Sequence, residues 1–398
     1  MDDARSVAVG CYVSVGTRDE PSAIVGVSHF LEHLLFKGTD TRSALDIAES
    51  VDSTGGDMNA YTTKEFTAFY LRLPARHLEF GVDLLCDVIS NPAFDDAEFA
   101  SERQVILEEL HLQQDEPDDL VHTLLYEQLY PKHPLGWEIA GNESTIKATT
   151  PALVRRFHRR WYAPPNLVFA AAGPIEHREF ATAVRKRLSP SPTDVAAVRR
   201  RRPQVHAAAS TISRRPSESL HMAFGWPGLE YTDDDRFALA VLNQVLGAGM
   251  SSRLFQTIRE ERGLAYSVFS AATSYTDSGV LTVYAGTTPD VSGVVVDLIA
   301  STVRDIARTG ISARELQLAK SALEGSAVMQ LEDTGARMSR LGLSMLTRDR
   351  VVPVERYLSR LRAVKLTDVQ RVAQRVFAHA PSIAAVGPLR ARKLVWRG

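Results

Sequence analysis

The sequence of 398 residues has few cysteines, almost no net charge and no long apolar run. Two cysteines, Cys11 and Cys86, give no basis for a disulfide framework or a thiolate zinc site, and we expect both to be buried apolar thiols. A net charge of -2 creates no overall field that would attract nucleic acid or a membrane surface. No apolar run reaches the roughly 18 residues that span a membrane, and the start lacks the apolar segment of a signal peptide. We therefore expect a cytoplasmic protein that binds neither nucleic acid nor membrane.

What is present is the composition of a globular protein of two domains. Hydrophobic residues make up 44% of the chain and charged residues 24%, and the length exceeds what one ordinary core accommodates. A stretch rich in Ser, Pro, Ala and Arg at residues 189–216 indicates a linker between an N-terminal domain, residues 1–188, and a C-terminal domain, residues 217–398. We interpret the basic run at residues 199–202 as a solvated connector in preference to a nucleic-acid or targeting patch.

The periodicity of apolar residues predicts strands and helices mixed within each domain. Val7, Val9, Cys11, Val13 and Val15 alternate with a period of two, which is typical of a half-buried strand. Further strands are predicted at 66–73, 167–172, 220–226, 265–274 and 279–285. Helices are predicted at 25–37, 44–53, 76–90, 95–114, 118–129, 150–162, 233–246, 252–261 and from 291 to about 346. The predicted fold class is therefore α+β.

The second half of the chain repeats the order of the first. The segment Leu-Val-Phe-Ala-Ala-Ala-Gly-Pro at 167–174 recurs as Ser-Ile-Ala-Ala-Val-Gly-Pro at 382–388, and each follows a helix that opens at a threonine. Pairing the acidic residues 115–116 with 332–333 gives an offset of 217 residues, which puts Ser326 opposite Glu109. The second half has no counterpart of the His/Glu/His run near the start. We therefore predict two homologous domains with the chemistry in the first.

A metal site is indicated by the run His29-Phe30-Leu31-Glu32-His33. Residues at i and i+4 of a helix lie on one face, so His29 and His33 can direct their imidazoles to one point with Glu32 beside them. The run is the inverse of the HExxH order and a known zinc-peptidase pattern. A catalytic zinc ion usually takes three protein ligands and keeps one position for water, so the site requires a third ligand.

The third ligand is expected from the predicted helix at 95–114. Glu102 and Glu109 are two turns apart and share a face, whereas Glu108 is rotated by about 100° from Glu109. We predict Glu109 as the ligand and Glu102 as a carboxylate that hydrogen-bonds a ligand histidine. Without the histidines, the same glutamates would be interpreted as charges on an exposed helix.

With these motifs the sequence resembles the pitrilysin, or inverzincin, family of metallopeptidases, particularly the branch of the mitochondrial processing peptidase and its bacterial relatives. The resemblance covers nearly the whole chain, and Glu109 stands 76 positions after His33, at the family's spacing. It implies one Zn2+ per chain, bound by His29, His33 and Glu109. It also implies that Glu32 is the general base, which activates water for attack on a peptide carbonyl and passes the proton to the leaving amine.

Two further blocks carry the resemblance. Within Gly-Gly-Asp-Met-Asn-Ala-Tyr-Thr at 55–62, Asn59 and Ala60 match the family's edge strand, to which a substrate peptide is added as a further strand. Within residues 254–266, Arg259 and Tyr266 match a pair that is implied to hold the substrate backbone and to donate to the developing oxyanion. Taken alone, the block at 55–62 would be interpreted as an ordinary turn into a strand. Arg259 would be interpreted as a solvated charge on a helix, and Tyr266 as a core residue of a strand.

The resemblance also implies an architecture and an assembly. Each domain is expected to be a mixed, mainly antiparallel sheet packed with helices, and the chain to be half of a clamshell chamber. A dimer follows, and because the chain carries both the zinc ligands and the pair Arg259 and Tyr266, we expect a homodimer, with a heterodimer as the alternative. Relatives generally begin with a further strand and turn, so we expect either a start codon assigned too late or a missing edge strand.

The expected function is the hydrolysis of peptides or unfolded polypeptides by a zinc endopeptidase within a closed chamber. The alternative is a non-catalytic scaffold or partner subunit of a processing-peptidase-like complex, against which the four intact active-site residues argue. A metal-dependent hydrolase of a non-peptide substrate would use the same ligands. The acidic run at residues 115–119 either attracts basic peptides such as targeting presequences or is a solvated loop that caps a helix.

Overall fold

The chain forms two compact units, and neither unit is one continuous segment. The computed structural model describes residues 1, 3–188, 198–206, 208–389 and 394–396. Unit 1 consists of Met1–His111, Trp137–Arg201 and Val328–Val352. Unit 2 consists of Leu112–Gly136, Arg202–Ala327 and Pro353–Gly398. Residues 189–197 of the predicted linker lie outside the described residues.

Strands and helices are mixed within both halves of the chain, as the apolar periodicity predicts. The strands are β1 (Ser6–Val13), β2 (Asp57–Thr62), β3 (Thr67–Pro74), β4 (Leu167–Ala172), β5 (Ser210–Arg214), β6 (Leu220–Pro227), β7 (Ala265–Ser274), β8 (Gly279–Thr287) and β9 (Ser382–Gly387). The helices are α1 (Val27–Leu35), α2 (Ala44–Asp52), α3 (Leu78–Ser90), α4 (Asp96–Asp115), α5 (Pro117–Leu129), α6 (Glu143–Ala148), α7 (Pro151–Trp161), α8 (His177–Arg187), α9 (Arg236–Asn243), α10 (Ser292–Thr309), α11 (Ala313–Gln330), α12 (Thr334–Arg348), α13 (Val354–Ala363) and α14 (Leu366–Val376). The predicted helix at 252–261 is instead a π-helical segment, Phe255–Glu260.

The sheet of unit 1 has the strand order β2-β3-β1-β4, with antiparallel pairing throughout. Val7, Val9, Cys11 and Val13 of β1 face a core that includes residues of α1 and α3, as the alternation predicts. The strand is nevertheless buried on both faces, because its other face also lies under a helix. The expectation of a half-buried strand is therefore wrong.

The sheet of unit 2 has the order β5-β9-β6-β8-β7. Strand β5 pairs in parallel with β9, and the other pairs are antiparallel. Its core includes residues of α9, α10 and α14. The predicted α+β class is confirmed. Strand β5 lies within the predicted linker at 189–216, so the end of that stretch belongs to a sheet.

Each sheet is covered on one face by a helix from the other half of the sequence. In unit 1, α12 packs on β1 and β4, and in unit 2, α5 packs on β6 and β9. In both contacts a side chain of the helix lies close to a glycine of the strand: a Cβ at Gly10 would lie 2.8 Å from Sδ of Met338, and a Cβ at Gly225 would lie 2.7 Å from Cδ1 of Leu129. The two halves of the sequence thus exchange one helix each: α12 belongs to unit 1 and α5 to unit 2. The predicted division into residues 1–188 and 217–398 does not include this exchange.

The repeat predicted from the sequence has a structural counterpart at the ends of β4 and β9. Gly173 follows β4 with φ 151°, and Gly387 is the last residue of β9 with φ 144°. A Cβ at Gly173 would lie 2.9 Å from the carbonyl oxygen of Ser6, and one at Gly387 would lie 2.7 Å from that of Ser219. Both glycines thus allow the chain to leave a strand against the start of its neighbour, β1 or β6.

Arg200, in the basic run at residues 199–202, is not solvated as we expected for a connector. The Arg200 side chain is 16% exposed and pairs with Asp19 at 2.9 Å and with Glu65 at 3.6 Å. Glu65 also pairs with Arg18 at 2.6 Å, with both side chains buried. Such a cluster persists only when each buried charge has partners, so Arg200 anchors its segment to unit 1.

The other expectations from composition concern cysteines and membrane spans. Cys11 and Cys86 are both buried and free, as expected, and burial raises the pKa of each thiol. Neither is therefore a reactive thiolate at neutral pH. Among the described residues, none of the helices combines the length and the apolar character required to cross a lipid bilayer.

The contact between α12 and β1 gives a stability prediction. A Cβ at Gly342 of α12 would lie 2.2 Å from the buried Tyr12 ring. We expect Gly342→Ala to lower the free energy of unfolding by about 1–3 kcal/mol because the helix must move away from the sheet. The control is Gly325→Ala in α11, where a Cβ would meet no atom within 4 Å. That substitution is expected to raise stability by about 0.5–1 kcal/mol. Urea unfolding in which both variants gain stability would contradict the prediction.

Candidate metal centre

Helix α1 carries the His/Glu/His run in unit 1. Its apolar side chains, including Phe30, Leu31 and Leu34, are buried in the core of the unit. The N-cap residue that precedes the helix is Gly26, whose φ of 95° favours glycine. A Cβ at this position would lie 2.6 Å from the carbonyl oxygen of Ala140. Packing of the apolar face therefore fixes the direction in which the polar face of α1 points.

Glu20 takes the place of a capping side chain at the start of α1. Gly26 has no side chain to accept from the first turn, and the Glu20 carboxylate accepts from the backbone N–H groups of Gly26 and Ser28, both at 2.7 Å. Burial raises the pKa of Glu20 to about 8, although these hydrogen bonds act in the opposite direction. A buried carboxylate thus holds the N-terminus of the helix that carries the histidines.

The structure brings His29, His33 and Glu109 together. Their nearest donor atoms all lie within 4.8 Å of one another. Oε2 of Glu109 is 3.9 Å from Nε2 of His29 and 3.6 Å from Nε2 of His33. The Glu109 side chain is 43% exposed, so the cluster opens toward solvent on that side. Two imidazole nitrogens and one carboxylate oxygen form a donor set found in catalytic zinc sites.

The ionisation of His29 suits a metal ligand. Burial, and to a lesser extent the neighbouring His33, lower the pKa of His29 to about 4. The ring is therefore neutral at physiological pH and keeps a lone pair for a metal. Nδ1 of His29 is buried and has no hydrogen-bond partner among the described residues. The two histidines thus differ, because His33 is oriented by a neighbour.

Glu102 is that neighbour, as the two-turn spacing along α4 predicts. Nδ1 of His33 lies 2.9 Å from Oε2 of Glu102, whose side chain is buried. Nζ of Lys37 lies 2.7 Å from the other carboxylate oxygen. Burial opposes ionisation of Glu102, but hydrogen bonds from Lys37 and His33 outweigh it and lower its pKa. The ionised carboxylate accepts the proton on Nδ1, which leaves Nε2 of His33 to face Glu109 and His29.

Glu32 lies beside the ligand cluster and has a partner that the sequence analysis did not include. Oγ1 of Thr62 donates to Oε2 of Glu32 at 2.5 Å. Burial raises the pKa of Glu32, and the bond from Thr62 partly opposes this. A carboxylate that gains a proton more readily than usual is suited to general-base chemistry near neutral pH.

The predicted substrate-binding residues fall in both units. Asn59 and Ala60 lie on β2, the edge strand of the unit 1 sheet, as predicted. Asn59 is exposed, and its Oδ1 accepts from the N–H of Ala60 at 2.8 Å. In unit 2, the guanidinium of Arg259 lies 5.4 Å from the centre of the Tyr266 ring, which is 87% exposed. The structure thus brings Arg259 and Tyr266 together as a cation–π pair.

A second group of polar residues in unit 2 was not predicted as a site. A cavity of about 440 Å³ is lined by Tyr266 and by residues of α5, β6, β7 and β8. Asp118 and Asp119 of the acidic run contribute to it and lie in the first turn of α5. His122 stacks on Tyr284 with ring centres 5.5 Å apart. The run at 115–119 is therefore partly helical, with its carboxylates near a helix N-terminus.

Comparisons with known proteins identify a family for this chain. Residues 1–143 match the family described as Insulinase (Peptidase family M16), and residues 149–323 match the Peptidase M16 inactive domain. An uncharacterized zinc protease of Streptomyces coelicolor is 40% identical over 397 residues, which cover 98% of this chain and 86% of the relative. The uncharacterized zinc protease YmxG of Bacillus subtilis is 38% identical over 384 residues, which cover 96% and 93%.

Two solved structures share the fold. A protease from Helicobacter pylori has a TM-score of 0.92 at 22% identity, covering 97% of this chain and 94% of that chain. A peptidase M16 inactive domain from Pseudomonas fluorescens also has a TM-score of 0.92 at 22% identity, with coverage of 99% and 95%. At this identity, the likeness concerns the fold alone.

The buried carboxylate at the start of α1 gives a pH prediction. The folded-state pKa of Glu20, about 8, lies above its ordinary value of 4.5, so folding takes up a proton between these pH values. Stability is then lost as pH rises through this window, by up to about 1.4 kcal/mol per pH unit. Glu20→Gln removes the ionisation, so its stability relative to wild type is expected to increase from pH 5 to pH 8.

The measurement is urea unfolding at pH 5, 6, 7 and 8 with a chelator present, so that metal binding does not contribute. Glu49→Gln, at an exposed position of α2, is the control and is expected to follow the wild-type pH dependence. Parallel curves for wild type and Glu20→Gln would show that Glu20 does not titrate in this range.

Proposed function

The chain belongs to peptidase family M16, and on this premise we propose that it is a zinc-dependent endopeptidase acting on peptides or unfolded polypeptides. The observation that carries the proposal is the convergence of His29, His33 and Glu109 to within 4.8 Å beside Glu32. Relatives covering almost the whole chain are named zinc proteases, which supports zinc as the metal.

The roles of the residues follow from their contacts. A zinc ion held by His29, His33 and Glu109 would supply Lewis-acid polarisation of a water molecule and of a peptide carbonyl. The Glu32 carboxylate takes the proton of the attacking water and passes it to the nitrogen of the leaving amine. Glu102 keeps Nδ1 of His33 protonated, which directs Nε2 toward the other ligands.

Substrate binding is assigned to two places by the resemblance. The free edge of β2 at Asn59 and Ala60 would accept a peptide as an added strand, with main-chain hydrogen bonds that do not depend on the peptide sequence. Arg259 would hold the substrate backbone, and Tyr266 would donate to the developing oxyanion. Their cation–π contact supports a joint role, because it orders two long side chains that would otherwise be mobile.

A non-catalytic scaffold is the second candidate, and one comparison favours it. The match described as an inactive domain concerns residues 149–323. That segment contains none of the residues His29, Glu32, His33 and Glu109, so it describes a part of the chain in which no metal ligand was predicted. The intact cluster in the first half favours the catalytic proposal.

Hydrolysis of fluorescein-labelled casein and of a mixed peptide library tests the function. We expect wild type to be purified with about one zinc per chain and to be inactivated by a chelator. Glu32→Gln should retain zinc but lose activity by about 100-fold or more, because the base is removed and the ligands are not. Glu109→Gln should lose zinc, whereas Glu108→Gln, one position away on the exposed face of α4, should keep both zinc and activity. Cleavage that survives Glu32→Gln would refute the assignment of the base.

We also propose that the active form is a homodimer in which Arg259 and Tyr266 of one subunit serve the zinc of the other. Light scattering is expected to give about twice the chain mass of 43.8 kDa. Mixing Glu32→Gln with Arg259→Ala should restore roughly a quarter of wild-type activity, since half of the dimers are mixed and each has one complete site. A stable monomer that cleaves peptide, or no recovery on mixing, would contradict the proposal.

A further inference from the structure

The orientation of Glu32 is not determined by α1 alone. A glutamate side chain has three rotatable bonds, so a rigid helix fixes its Cα and Cβ but leaves its carboxylate free to turn. Thr62 Oγ1 donates to Oε2 of Glu32 at 2.5 Å, and the backbone of Thr62 also hydrogen-bonds to this carboxylate. Among the described residues, no other side chain donates a hydrogen bond to Glu32. The hydroxyl of Thr62 is therefore the side-chain group that selects its orientation.

Thr62 can select an orientation because its own position is fixed. It is the last residue of β2 and pairs across the hairpin with Thr67 of β3. The turn after it is closed by reciprocal bonds, in which the N–H and Oγ1 of Thr63 donate to the carbonyl oxygen of Phe66, both at 2.8 Å, while the N–H of Phe66 lies 3.1 Å from Oγ1 of Thr63. Such a turn holds the end of the strand in one conformation.

The turn is in addition fastened to the segment that leads into α1. The N–H of Arg18 donates to the carbonyl oxygen of Lys64 at 2.7 Å, and that of Thr17 donates to the carbonyl oxygen of Thr63 at 3.2 Å. This approach requires Gly16, where a Cβ would lie 2.3 Å from the carbonyl oxygen of Thr63. The hairpin that carries Thr62 is thus tied by two backbone hydrogen bonds to Thr17 and Arg18, in the segment that precedes α1.

We infer that Thr62 is a positioning residue for the general base, and that it couples the edge strand β2 to Glu32. The inference rests on the proposed function. Its hydroxyl holds one carboxylate oxygen of Glu32, so that the carboxylate presents a constant face to the attacking water. Because Asn59, Ala60 and Thr62 belong to one strand, a peptide that pairs with β2 would lie along the same strand that directs the base.

The test compares two nearly isosteric substitutions at Thr62, with kcat and KM for fluorescein-labelled casein measured separately. Thr62→Val keeps the shape and the backbone bond but removes the hydroxyl. It is expected to lower kcat by about 10- to 100-fold with KM changed less than about twofold. Thr62→Ser keeps the hydroxyl and should restore most of kcat. The zinc content of both variants should match wild type, since Thr62 is not a ligand.

Thr67→Val is the matched control within the same hairpin. The Thr67 hydroxyl donates to the carbonyl oxygen of Val15 at 3.0 Å, so its removal perturbs β3 without touching Glu32. We expect a lower melting temperature with kcat within about twofold of wild type. A kcat that falls equally in Thr67→Val, remains normal in Thr62→Val, or is not restored in Thr62→Ser would overturn the inference.

The failure of the proposed function would be recognised separately in the same experiment. Wild type that binds zinc but cleaves neither casein nor any library peptide, or activity that survives Glu32→Gln, would refute the peptidase proposal whatever Thr62 does. Wild type that is active and sensitive to Glu32→Gln, with a normal kcat in Thr62→Val, would refute only the role of Thr62.

Discussion

The candidate centre depends on how one short helix is held. Helix α1 has nine residues, and a helix of this length is not stable without tertiary contacts. Its apolar face is fixed by the core of unit 1, its N-terminus by the buried Glu20, and its polar face by contacts with Glu102 and Thr62. Each of these contacts removes a different motion of α1 or of its side chains. The distances among His29, His33 and Glu109 follow from this restraint.

Two carboxylates that contact or belong to α1, Glu102 and Glu32, have different hydrogen-bond partners. Glu102 is ionised and bonded to a cation, which suits a group that must keep a proton on His33. Glu32 has no cationic side chain bonded to it among the described residues and accepts from a neutral hydroxyl, which leaves it able to gain and lose a proton. Two carboxylates within one site are thus assigned different tasks by their partners.

Local spacing was sufficient to predict much of the fold and of the centre, but contacts between distant segments were not predictable. His29, Glu32 and His33 follow from helical geometry, and Glu102 and Glu109 follow from a two-turn spacing on a second helix. Lys37, one turn after His33, could have been found in the same way. Thr62 and Glu20 could not, because their contacts depend on a strand register and on a loop that no periodicity describes.

The features of the fold that were not predicted also depend on properties that apolar periodicity does not describe. Apolar periodicity predicted helices over the residues of α5 and α12, but it does not state against which sheet a helix packs, so the exchange between the units was absent from the prediction. Strand β5 is short and half-exposed and lies in a stretch of Ser and Arg, which resembles a connector in composition. The segment Phe255–Glu260 departs from 3.6 residues per turn, which the helical pattern assumes.

The exchange of α5 and α12 has a consequence for the origin of the chain. Helix α12 begins 217 positions after α5, which is the offset of the internal repeat. Two separate chains of one repeat each would complete each other's sheets by donating this helix, in the manner of a domain-swapped dimer. Joining them in one polypeptide makes the donation intramolecular, at the high effective concentration of a tethered segment. After such a fusion, one copy is free to lose its metal ligands, because its helix α12 still completes the unit that keeps them.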